Sequence, residues 1–111
     1  MYDYEKVNID DDLAKIADTI SNMLPQAKIY LFGSFTNGTP HEYSDIDLCV
    51  IVPALERNRF EMTSEIRDAI DDKTDYPIDL LLFSESEFEK SANKKWSVQY
   101  DIAREGVLLN A

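Results

Sequence analysis

Cysteine occurs once in this chain of 111 residues, at Cys49, which excludes an internal disulfide framework and a cysteine-rich zinc site. A cytoplasmic location is the default expectation. Basic residues are scarce: 11 Lys and Arg stand against 22 Asp and Glu, a formal net charge of −11. Such a balance offers little of the basic face that nucleic-acid binders use to replace counterions. Long nucleic acids would be repelled unless metal ions intervene, whereas a basic protein partner would be attracted. Long apolar runs are missing too, and none approaches the ~20 residues of a membrane span. The start, "MYDYEKVNIDDD", has neither a basic stretch nor an apolar core, which reads against a signal peptide. Repeats and low-complexity segments are also lacking. What remains is 44% hydrophobic and 11% aromatic, ordinary for a globular chain, with a length that suits one domain over residues 1–111.

Apolar residues at Ile9, Leu13, Ile16, Ile20 and Leu24 fall on one helical face, with Asp10 or Asp11 able to cap its start and Pro25 to stop it. "AKIYLFG" reads as a strand ending at Gly33, and "SFTNGTPHEYS" is turn chemistry. "DIDLCVIV" is a second strand, apolar enough to be buried on both faces. "ALERNRFEMTSEIRDAIDD" reads as a second amphipathic helix, "KTDYP" as a loop and "IDLLLF" as a third strand. Ser84 and Glu87 form a capping box that opens another helix. "WSVQYDIARE" is the last helix, ended by Gly106, and "VLL" adds a short strand or packs on the core. The expected fold is α/β (α+β): a small mixed sheet, three strands at its core, flanked by helices.

A short turn-rich loop joins the first two strands, so they should be antiparallel; a helix joins the second and third, so they should be parallel. Gly33-Ser34, Asp45-x-Asp47 and Asp79 then meet at one edge of the sheet. Asp45 and Asp47, two residues apart, point to the same face, and Asp79 can project beside them. Three converging carboxylates repel one another unless a cation neutralises them. Hard oxygen donors select Mg²⁺ or a similar ion, and a pair of such ions can clamp a phosphoryl transfer. Glycine permits a sharp turn and close approach, and the amides and Ser34 hydroxyl that follow can donate to phosphate oxygens. Each piece alone is weak: Asp-x-Asp is frequent, Gly-Ser more so. The combination, with ten residues between Ser34 and Asp45 and with Asp79 opening a further strand, is specific. An EF-hand reading fails, because the residues after Asp45 lack the turn glycine and closing glutamate.

"GSFTNGTPHEYSDIDLCV" resembles the Gly-Ser-x10-Asp-x-Asp signature of the nucleotidyltransferase superfamily, whose fold is shared with DNA polymerase β. The small size, the Asp79 strand and "YDIAREGVLL" look like the minimal nucleotidyltransferase (MNT) domains of prokaryotes, over essentially the whole chain. Such domains are often paired, as antitoxins, with HEPN-domain toxins, and some transfer AMP from ATP to a tyrosine of the toxin. The resemblance implies that Gly33 and Ser34 hold phosphates and that Asp45, Asp47 and Asp79 bind two Mg²⁺ ions, Asp79 also assisting deprotonation of the acceptor hydroxyl. One departure stands out: many relatives carry an arginine just after Gly-Ser, but here no Lys or Arg occurs between Lys28 and Arg57. Arg57, Arg59, Lys94 and Lys95 are the candidates to supply that charge.

The leading expectation is an antitoxin that adenylylates a hydroxyl, a HEPN tyrosine foremost. The alternative is a non-catalytic or weakly catalytic module that neutralises its partner by occlusion. Transfer to a small molecule such as an aminoglycoside ranks third, since relatives of that kind carry an added helical domain. Other residues have plainer readings: His41 as a solvated loop residue, Cys49 as an inert buried thiol, Tyr30 and Tyr100 as half-buried packing. Tyr43 and Phe35 flank the pocket and could stack on a base. Trp96 is expected to anchor the last helix, although an exposed Trp there would suit an interface.

Overall fold

The computed structural model describes residues 9–33 and 45–110. Helix α1, Asp10–Met23, buries Leu13, Ile16, Ala17 and Ile20 on one face, as the spacing predicts. The Leu24 amide closes it onto the Ile20 carbonyl at 2.8 Å, and Pro25 follows. Its start differs from expectation. Ile9 is the N-cap and supplies no side-chain bond; Asp10, Asp11 and Asp12 fill the first turn, where their charge opposes the helix dipole. Asp12 accepts a hydrogen bond from the Thr74 hydroxyl at 2.8 Å, so it ties the helix start to a distant loop.

Strands β1 (Lys28–Phe32), β2 (Ile46–Val52), β3 (Ile78–Ser84) and β4 (Val107–Leu108) form one sheet in the order β3-β2-β1-β4. β1 and β2 are antiparallel, and β2 and β3 parallel, as the connections require. Of the two readings of the closing "VLL", the short strand holds: Val107–Leu108 pairs with β1 as a fourth strand. Asn110 clamps this addition: its Oδ1 accepts from the Ile29 amide (3.0 Å) and its Nδ2 donates to the Ala27 carbonyl (2.7 Å).

Helix α2, Arg59–Ile70, begins five residues later than the apolar pattern from Ala54 suggests. Asn58 sets the boundary. Its Oδ1 accepts from the Phe60 and Glu61 amides (2.8 and 3.3 Å), satisfying donors that a helix start leaves open. The residues before it turn the chain back after β2. Helix α3, Glu85–Ala92, opens on the expected Ser84–Glu87 capping box. Helix α4, Val98–Glu105, is capped by Ser97 and ends at Gly106, whose φ of −66° is not the left-handed cap usual for glycine. A Cβ at Gly106 would lie 2.5 Å from the Ile102 carbonyl oxygen, so close approach fixes this residue.

Strand periodicity divides the core. Ile46, Leu48, Val50 and Val52 face α1 and α2, and join Ile16, Ile20, Ile66 and Ile70 in the main cluster. Cys49 and Ile51 point the other way and pack with Ile102 of α4, bordered by Tyr30, Phe32, Leu81, Phe83 and Phe88. Trp96 corrects the expectation: it is 81% exposed, and Ile102, at 0%, anchors α4. Among the described residues no helix is long and apolar enough to cross a membrane.

Candidate active site

The strand registers place the acidic residues. Phe32 pairs with Asp47, and Asp47 with Asp79, so these three share one row across β1, β2 and β3. By alternation this row faces the smaller cluster, opposite to Ile46 and Leu48. In-register neighbours on adjacent strands lie about 4.8 Å apart, close enough for two carboxylates to interact. Asp45 sits just before β2, exposed, and the Ile46 amide beside it donates to the Pro77 carbonyl at 2.8 Å. That bond locks the start of β2 to the residues that lead into β3.

Gly33 follows β1 with a φ of +80°, a conformation that side chains rarely adopt. A Cβ there would lie 2.0 Å from Asp47 Oδ2 and 3.0 Å from its Cγ. Glycine therefore serves two ends at once: it turns the chain and leaves room for the carboxylate. Ser34 lies outside the described residues, as do Phe35, His41 and Tyr43.

Asp47 is pushed above the ordinary carboxylate range, first by burial, then by the charge of Asp79 and then by that of Asp45. The three acids thus act on one group, although among the described residues no three His, Cys, Asp or Glu side chains close into a set that would hold a metal ion. The donor set still fits a hard divalent ion: the groups are carboxylate oxygens, and Asp47 carries negative charge that a cation would relieve.

Three of the four candidate cations have partners of their own. Arg57 makes a bidentate pair with Glu65 (2.7 and 2.6 Å), and Arg59 pairs with Glu87; both follow the far end of β2. Lys94 lies over the Trp96 ring, 5.6 Å from its centroid, in the turn between α3 and α4. Sequence reading missed Arg67, whose Nη1 donates to the Ile78 carbonyl at 3.1 Å, next to Asp79. In a parallel pair the residue after Pro77 turns its carbonyl away from β2, so Arg67 covers the open edge of β3. No motif marks it; only its place on the last turns of α2, which must end near the start of β3, could have pointed to it. Phe32 was also missed, although it directly precedes Gly33. Cys49 behaves as read: it is buried, and burial pushes its thiol up to about 12. A groove of about 310 Å³ lies elsewhere, between Met23–Ala27 and Val52–Ala54 at the opposite end of β2, with no carboxylate pair in it.

This acid row and glycine turn lie together on one sheet edge. The family described as "Nucleotidyltransferase domain" matches residues 13–109, and the chain belongs to it. Within that family the resemblance to minimal, MNT-type domains is borne out by the relatives. Over 64 residues the chain is 36% identical to the protein adenylyltransferase MntA of Shewanella oneidensis, a match covering 55% of this chain and 46% of that protein. The chain thus spans about half the length of this curated relative, or less. A crystal structure of a toxin-antitoxin with AMP-PNP is similar at TM-score 0.56 and 26% identity, over 87% of this chain and 71% of that one. A crystal structure from Sulfolobus solfataricus shares the fold, with TM-score 0.58, 19% identity and coverage of 90% of this chain and 78% of that one.

Proposed function

We propose that this chain is a metal-dependent nucleotidyltransferase that moves AMP from ATP to a hydroxyl of a protein partner, a HEPN-domain toxin, and so acts as its antitoxin. The observation that carries the reading is the in-register pair Asp47 and Asp79, with Asp45 at the same edge and the Gly33 turn against Asp47. The adenylyltransferase and toxin-antitoxin relatives support the partner class.

Asp45, Asp47 and Asp79 would hold Mg²⁺, two ions on the family pattern, and Gly33 with Ser34 would seat the β- and γ-phosphates. When bound, Mg²⁺ supplies charge stabilisation at the α-phosphate and favours the ionised nucleophile. The acceptor oxygen bonds to the α-phosphorus, the bond from that phosphorus to the β-phosphate bridging oxygen breaks, and pyrophosphate leaves. Asp79, the exposed member of the row, would assist by taking the hydroxyl proton. The backbone turn at Gly33 keeps side-chain bulk away from Asp47 and leaves phosphate room to approach.

ATP labelled at the α-phosphate tests the reading. Label should appear on a tyrosine of the HEPN protein with wild type and not with Asp45→Ala; equal labelling by both would overturn it. A second reading, neutralisation by occlusion, is favoured by the cations: Arg57 and Arg59 are already paired, and Arg67 spends its bond on a backbone carbonyl. If an Asp45→Ala/Asp47→Ala/Asp79→Ala variant still rescues cells from the toxin, occlusion takes first place.

A further inference from the structure

Residues 90–100, "KSANKKWSVQY", hold three lysines and no acid in a chain with 22 acidic residues. Within them Trp96 is 81% exposed, with Lys94 over its ring and Lys95 exposed beside it. The turn that presents Trp96 is rigidly built. Ser97 is buried; its hydroxyl donates to the Ser91 carbonyl (2.6 Å), with the Lys94 carbonyl at 2.9 Å, and accepts from the Tyr100 amide (3.1 Å). The Lys94 amide donates to the Ser91 carbonyl at 3.0 Å, and the Ser97 amide to the Lys94 carbonyl at 2.9 Å. Ser97 takes the inward position, so Trp96, one residue earlier, is held outward. An aromatic side chain fixed in place before binding loses little freedom on burial, and tryptophan is enriched among residues that dominate interface energy.

We propose that the Lys94–Trp96 corner is a docking point for a partner protein that offers an apolar pocket bordered by carboxylates; the inference rests on the reading above in taking that partner to be the HEPN-domain protein. Local charge complementarity selects an acidic rim, since Lys94 lies over Trp96 and Lys95 is exposed beside it, with the nearest acids along the chain at Glu89 and Asp101. Nucleic acid is disfavoured, because the remaining surface of a −11 chain repels a phosphate backbone. A second copy of the chain is disfavoured as well, because two −11 molecules repel each other.

Trp96 is the only tryptophan, so fluorotryptophan placed in this chain alone gives a single fluorine resonance from the proposed contact. Titrating the HEPN protein should shift that resonance and remove its exposure to solvent. Trp96→Ala should weaken binding roughly thirtyfold, the loss expected of a buried aromatic anchor. Lys94→Glu/Lys95→Glu should weaken it roughly tenfold and flatten its salt dependence. Both variants should melt like wild type, and Trp96→Ala should bind Mg·ATP like wild type. A complex that forms with Trp96 unchanged, and with Trp96→Ala at full affinity, overturns the inference and leaves the partner reading intact. No complex at all overturns both. A shift that appears on concentrating this chain alone makes the corner a self-association site and overturns the hetero-partner proposal.

Discussion

Gly33→Ala probes the turn and the acid row together. The new Cβ would meet Asp47 Oδ2 at 2.0 Å, its Cγ at 3.0 Å and its Cβ at 3.3 Å, on a backbone with φ +80°. The left-handed backbone alone costs an alanine about 1–2 kcal/mol. If Asp47 keeps its place, overpacking adds about 1–3 kcal/mol. The total, about 2–5 kcal/mol, corresponds to a fall in Tm of roughly 8–20 °C for a chain of this size. If Asp47 instead swings aside, the second cost shrinks, but the carboxylate leaves the row and Mg·ATP affinity falls. Thermal melts and calorimetric titration of both variants separate the two outcomes. A double-mutant cycle with Asp47→Ala isolates the clash, because that change removes Oδ2 and Cγ while the φ cost remains; the expected coupling is about 1 kcal/mol or more. A Gly33→Ala variant with wild-type Tm and wild-type Mg·ATP affinity would refute the reasoning.

Three further outcomes are expected. Asp47 is raised in the folded state, so its contribution to stability is fully present below the ordinary carboxylate value of 3.8 and is lost as pH rises through the raised one. Asp47→Asn should therefore stabilise the metal-free protein at neutral pH, with the gain vanishing below the unfolded value in melts across pH. Arg67→Met removes the donor to the Ile78 carbonyl and should cost about 1–2 kcal/mol, with faster hydrogen exchange at the start of β3. Asn58→Ala should lower stability by about 1 kcal/mol in urea titration, and Asn58→Gly by only a few tenths.

Much of this architecture is legible in the residues because its signals are periodic or chemical. The α1 face, the Ser84–Glu87 box and the strand directions follow from spacing and connection length, and these in turn put Asp45, Asp47, Asp79 and Gly33 at one edge. Less legible were features decided by tertiary contacts. The helical apolar pattern runs through Leu55, but Asn58 sets the start of α2 by taking up two amides. β4 is two residues long and exists through its pairing with β1 and the Asn110 clamp, neither of which leaves a local pattern. Trp96 looked like a core anchor by residue type; the outcome turned on Ser97, whose hydrogen bonds claimed the interior. Arg67 escaped notice because its role is a bond to a backbone carbonyl, and a lone helical arginine carries no mark of that.

Calorimetric titration of ATP with Mg²⁺ into wild type and into Asp45→Asn/Asp47→Asn tests the central claim most directly. Binding by wild type that requires the metal and is lost in the variant is the result predicted for a nucleotide site on this carboxylate edge. Equal binding by both proteins, or binding by wild type that ignores the metal, would contradict it.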